Sequence, residues 1–150
     1  MPTAPPLVDS DSRICADDFS CRVLSDIILE ENGDSVVTGL LYGVNCTRPL
    51  IVPIPCSSNG EHSDYQTWLA FDDHTNIHRA SLTLNHQSFI LHCTLLFPNQ
   101  ADIPAWYINN LLSSNRKTWL GNALLILPGR NWPSECIPSG KEMARTLAHI

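Results

Sequence analysis

Charge is scarce in this chain. Only 16% of its 150 residues are Asp, Glu, Lys or Arg, against about a quarter in an average globular domain. With 43% apolar residues beside it, that scarcity excludes a disordered, self-repelling polymer. No apolar run approaches the ~20 residues of a membrane-spanning helix, so no membrane partner is expected. Met1, Pro2, Thr3, Ala4, Pro5 and Pro6 lack both the basic start and the apolar stretch of a secretory signal. The expected location is therefore the cytoplasm. Nine basic residues are scattered among fifteen acidic ones, without the dense stripe that nucleic acid binding requires. The phosphate-cradling patterns G-x-G-x-x-G and G-x-x-x-x-G-K-[ST] are missing, and so is the G-x-S-x-G of a hydrolase. No cofactor is expected on these grounds.

Six cysteines are present, at positions 15, 21, 46, 56, 93 and 136. None forms a C-x-x-C pair, so the usual zinc and thioredoxin spacings are absent. In a cytoplasmic setting they read as small buried hydrophobes rather than a disulfide framework.

The length fits one domain. Residues 1–18 carry prolines and acids without any period and read as a flexible tail; residues 19–150 read as a single domain. Eight acids against two bases in residues 1–34, and five bases against two acids in residues 103–150, read as two solvated faces of that domain.

The apolar run over 22–29 predicts a strand, turned at Asn32-Gly33 into a return strand over 35–44. Gly39 and Gly43 there suggest a bulge or a close backbone approach. Leu50 to Ile54, fenced by Pro49, Pro53 and Pro55, predicts an edge strand. Ser63 to Gln66 fits a capping box, with Tyr65, Trp68 and Leu69 at helical spacing, so a short helix or an irregular strand is expected. Residues 80–84 and 88–97 alternate as a hairpin. Phe89, Leu91, Cys93, Leu95 and Phe97 should face the core, with Ile90, His92, Thr94 and Leu96 on a partly covered face. Asp102 and Pro104 predict a helix start, with Ile103, Trp106, Tyr107, Leu111 and Leu112 on its apolar side. Residues 119–127 predict a buried strand. Ser139 and Glu142 form a capping box opening a terminal helix lined by Met143, Leu147 and Ile150. The sum is an α+β fold: an antiparallel sheet built from hairpins and packed by two or three short helices.

Asn115, Trp119-Leu120-Gly121-Asn122, Leu124-Leu125-Ile126 and Gly129, followed by the terminal helix, resemble the ending of small uncharacterised proteins of mushroom-forming fungi. The likeness covers residues 115–150 alone. It implies a strand–turn–helix ending and brings no activity with it.

The densest polar cluster is Asp72-Asp73-His74-Thr75-Asn76-Ile77-His78. If helical, it sets His74 and His78 on one face, four residues apart, a spacing that can hold a metal. Asp72 or Asp73 would add an oxygen ligand, and His62, His86 or His92 a further nitrogen. No Glu follows His74, so the zinc-protease pattern fails, and the same run reads well as a surface turn. His92 and Cys93, adjacent on a strand, point to opposite faces and cannot easily pair. Trp132 beside Arg130, in a loop bounded by Gly129 and Pro133, combines two residue types enriched at binding hot spots. Trp132 and Arg130 are the candidate binding residues. The leading expectation is a non-enzymatic protein-interaction or assembly domain that meets a protein partner or a second copy of itself. The rivals are a small metal-assisted or acid–base enzyme built on Asp72, Asp73, His74 and His78, and a small-molecule binding protein.

Overall fold

A computed structural model describes residues 17–56 and 65–149. The tail over 1–16, the 57–60 loop, His62, Ser63 and Asp64, the Phe89 side chain and Ile150 lie outside the described residues.

The first element overturns the expected strand and hairpin. Asp18–Asn32 is a helix, α1. Asp17 caps it, its carboxylate accepting from the Ser20 amide at 2.7 Å. Cys21, Leu24 and Ile28 form its buried stripe, at the three- and four-residue spacing of one helical face. Gly33, at φ 59°, ends the helix and returns its N–H to the Leu29 carbonyl. The Asn-Gly pair thus serves a helix C-terminus, where a left-handed residue is also needed.

Two antiparallel pairs follow. β1 (Val36–Tyr42) lies beside β2 (Leu50–Pro55), with Val52 opposite Gly39. A Cβ at Gly39 would meet Ile54 Cδ1 at 2.5 Å and the Leu125 carbonyl oxygen at 3.0 Å, so the glycine marks a close approach, as expected. A single-turn helix, α2 (Gln66–Leu69), comes next. β3 (Ile77–His86) and β4 (Phe89–Pro98) then form a ten-pair hairpin. After a long irregular stretch, β5 (Ala123–Ile126) enters the sheet between β1 and β4. The order is β2-β1-β5-β4-β3, antiparallel throughout. The proline-fenced strand is at an edge, where missing amide donors matter least. The chain closes with α3 (Gly140–Leu147), whose capping box between Ser139 and Glu142 forms as read.

Both sheet faces are covered. On one, Leu41, Val52, Ile54, Leu96, Leu124 and Ile126 meet Cys21, Leu24 and Ile28 of α1 and Trp68 and Leu69 of α2. On the other, Leu40, Tyr42, Cys93, Leu95 and Leu125 meet Leu112, Trp119, Trp132, Met143 and Leu147. Leu91 and Phe97 pack against this second cluster, as their alternation predicts. On the opposite face of β4, Leu96 is buried while Ile90 is 66% exposed, so cover there is partial.

The helix expected after Asp102 does not form. A 3-10 turn (Gln100–Asp102) precedes irregular backbone, and the Asp102 carboxylate accepts from the Asn76 amide at 2.9 Å instead of capping. Asn109 supplies the reason. It is fully buried, donates Nδ2 to the Tyr42 and Gly121 carbonyls at 2.9 Å, and accepts from the Leu111 and Leu112 amides at 3.0 and 3.2 Å. A side chain that takes local amides competes with helix formation. The expected strand over 119–127 is shorter for a related reason: Gly121 at φ 78° bends the chain before β5 begins.

All four β5 residues are buried, Leu125 completely. Leu125→Ala is expected to cost about 2–5 kcal/mol in urea unfolding. Ile51→Ala on the edge strand, where Ile51 is 39% exposed, should cost less than half as much.

Candidate functional site

The polar cluster singled out in the sequence is a surface turn leading into β3. The Asp72 Oδ1 atom accepts from the His74 amide at 2.8 Å. Thr75 Oγ1 accepts from the Phe71 and Asp72 amides at 3.1 and 3.0 Å. Asp72, Asp73 and His74 are exposed. His78 lies on β3 with its ring stacked on Phe97, centroids 5.7 Å apart. The helical face that would have aligned His74 with His78 does not exist, because the chain between them is turn and strand. Among the described residues, no three His, Cys, Asp or Glu side chains come together in a group able to hold a metal. His92 hydrogen-bonds Thr83 across the hairpin at 3.1 Å, and His86 is drawn to α3.

The Trp132 loop corrects a second expectation. Trp132 is 3% exposed and donates Nε1 to the Cys136 carbonyl at 2.7 Å. Its amide reaches the Thr38 hydroxyl at 3.0 Å, and Asn131 Oδ1 accepts from the Thr38 amide at 3.0 Å. The loop thus takes over pairing with β1 just beyond β5 and carries the indole inward. A buried indole needs an acceptor, and the Cys136 carbonyl is one that local sequence does not reveal. Arg130 stays exposed, without the tryptophan beside it at the surface.

The tryptophan that faces water is Trp106, 71% exposed. It is not loose. Its ring meets Phe71 edge-on at 6.0 Å and Tyr107 at 5.5 Å, and Phe71 meets Tyr107 at 5.4 Å. Beneath them Tyr107, Ile103 and Val44 form a small third core against Phe71 and Leu120. Ile108, 37% exposed, extends the apolar surface. Asp72 and Asp73 follow Phe71 directly and add negative charge. Asn109 holds this loop from below through the four hydrogen bonds already described, and Asn122 ties the neighbouring turns by accepting from Val44 at 2.8 Å and donating to the Trp68 carbonyl at 3.0 Å. Sequence reasoning placed Trp106 on the inner side of a helix. The available signal was Asn109-Asn110 within that proposed helix, a pair of poor helix formers.

At the tip of the β3–β4 hairpin, a cleft of about 260 Å³ lies between the hairpin and α3. His86 Nδ1 and Glu142 Oε2 meet there at 2.8 Å. The other Glu142 oxygen accepts from the Ser139 amide at 3.1 Å. The His86 bond, followed by the Ser139 amide, holds the Glu142 carboxyl below its ordinary range. The pair fastens the hairpin tip to the terminal helix.

Two predictions separate display from support. Trp106→Ala should cost no more than about 1 kcal/mol, the loss of two edge-on ring contacts at an otherwise exposed site. Asn109→Ala should cost at least about 2 kcal/mol, because buried carbonyls and amides lose their partner. Chemical denaturation measures both. The third concerns pH. The folded chain keeps Glu142 ionised to lower pH than the unfolded chain does, so the stabilisation is present above the ordinary carboxylate range, about pH 4.3. It is lost as pH falls through the depressed folded value. In urea titrations below about pH 5, Glu142→Gln should lose stability less steeply than wild type.

No family model matches this chain, and comparison with curated proteins and with solved structures found no match.

Proposed function

We propose that this chain is a non-enzymatic protein-interaction or assembly domain whose contact surface centres on Trp106. The observation that carries this reading is a large aromatic side chain, 71% exposed, gripped by two other rings. A mobile surface tryptophan would lose conformational freedom on docking, whereas a ring already held by its neighbours loses little. Exposed Trp surrounded by apolar and polar neighbours is the composition of binding hot spots. Phe71 and Ile108 widen the apolar area, and Asp72 and Asp73 favour a partner that brings basic residues to its rim.

A second feature supports self-association within the same reading. β3 has a neighbour on one side only among the described residues. It runs for ten residues without proline, and Arg79 is its sole Asp, Glu, Lys or Arg residue. Long edges with few protective devices are templates for another strand.

Light scattering over a concentration series, together with capture from native extract, tests the reading. Wild type is expected to self-associate or to retain a protein that Trp106→Ala does not retain. A strict monomer whose captured proteins are unchanged by Trp106→Ala would remove it.

A further inference from the structure

Two thiols in the first core face each other at short range. Cys21, in the early turns of α1, and Cys46, in the connection from β1 to β2, are 25 positions apart in sequence, with sulfurs 3.8 Å apart. They are 1% and 6% exposed. A disulfide holds its sulfurs about 2.0 Å apart, so the pair stands near contact and needs only a small closing movement. Cys21 also borders an entrance. A cleft of about 240 Å³ opens over Cys21 between α1 and β2, and Arg22 and Arg48 line it with Asp18, Ser25 and Leu50. Two guanidinium groups at that mouth outnumber the one carboxylate, Asp18, and favour an anionic visitor.

We propose that Cys21 and Cys46 are a dithiol–disulfide site, oxidised by anionic low-molecular-weight disulfides that enter beside Arg22 and Arg48. One cysteine, as thiolate, attacks a sulfur of the small disulfide. The small S–S bond breaks, a mixed disulfide forms, and one small thiolate leaves and takes up the displaced proton. The second cysteine thiolate then attacks the protein sulfur of the mixed disulfide and expels the other small thiol. Two protein S–H bonds are lost and one S–S bond is made, while the small disulfide is reduced to two thiols.

The exchange is guarded. The Cys21 sulfur, then burial, then the facing Asp18 carboxylate push the Cys46 thiol above its ordinary range, and only the thiolate attacks. Reaction is therefore slow at neutral pH and faster as pH rises or as the first turn of α1 opens. The product ties α1 covalently to the sheet. Without it, α1 is held by the burial of Cys21, Leu24 and Ile28 against the edge strand β2. A bond closing a loop of this length restricts the unfolded chain, so oxidation should raise the melting temperature by roughly 5–10 °C.

The test uses the full wild-type chain equilibrated in mixtures of reduced glutathione and glutathione disulfide, then acid-quenched, alkylated and weighed. The expected result is the loss of two hydrogen atoms, mapped to linked peptides carrying Cys21 and Cys46, reversed by dithiothreitol and accompanied by the rise in melting temperature. Cys93→Ala, in the other core, should lose the same two hydrogen atoms as wild type. Arg48→Glu should slow oxidation by glutathione disulfide several-fold and leave oxidation by uncharged hydroxyethyl disulfide unchanged. Cys21 and Cys46 that stay alkylatable at every ratio, or that stop as separate glutathione adducts, would overturn the site. Equal rates for wild type and Arg48→Glu with glutathione disulfide would overturn the anionic entrance.

Discussion

The sheet depends on a strand of four residues. β1 with β2, and β3 with β4, are antiparallel pairs that could each form without the other. Isolated two-stranded pairs are marginal in water. Ala123–Ile126 slides between them, pairs with β1 on one side and β4 on the other, and turns two ribbons into one five-stranded sheet. Its side chains alternate between the two cores: Leu124 and Ile126 toward α1 and α2, Ala123 and Leu125 toward α3 and the Trp119 and Trp132 loops. Burying each Leu or Ile of this strand contributes on the order of 2 kcal/mol. The same residues also join the two cores, so loss of packing on one face is felt on the other.

From that centre the molecule is finished by polar contacts at its ends. Asn109 and Asn122 are the buried polar residues among those described. Each uses its amide to fasten irregular backbone to the sheet or to α2. Tyr42 donates to the Pro138 carbonyl at 2.6 Å and anchors the chain leading into α3. His86 and Glu142 fasten the first turn of the same helix to the hairpin tip. With these ends fixed, the long segment between β4 and β5 can hold Trp106 outward on a rigid base. A loop so positioned by a scaffold is the usual place for recognition.

The features legible in sequence were those decided locally. The alternation from Leu91 to Phe97 needs only the two-residue period of a strand. Proline at 53 and 55 restricts its strand to an edge whatever else the chain does. The Ser139–Glu142 box satisfies helix amides within one turn. Residues 22–29 were harder, because Val23, Ile27 and Leu29 are apolar yet 43–45% exposed. These outward residues obscured the stripe of Cys21, Leu24 and Ile28 and made the segment look like a strand. The candidate site was less legible still. Trp106 and Trp132 exchanged their expected places, inner for outer, because each position depends on an acceptor or a ring far away in sequence or across a turn.

Sequence alone thus determined the antiparallel hairpin over residues 80–97, the edge position of the proline strand, the terminal capping box and the mixed α+β character, since each follows from backbone period or from a missing or satisfied amide. Tertiary structure decided where β5 inserts, which tryptophan meets water, and that Cys21 meets Cys46. Those outcomes rest on contacts between distant segments, and the energy of such a contact belongs to neither segment until the sheet brings both together.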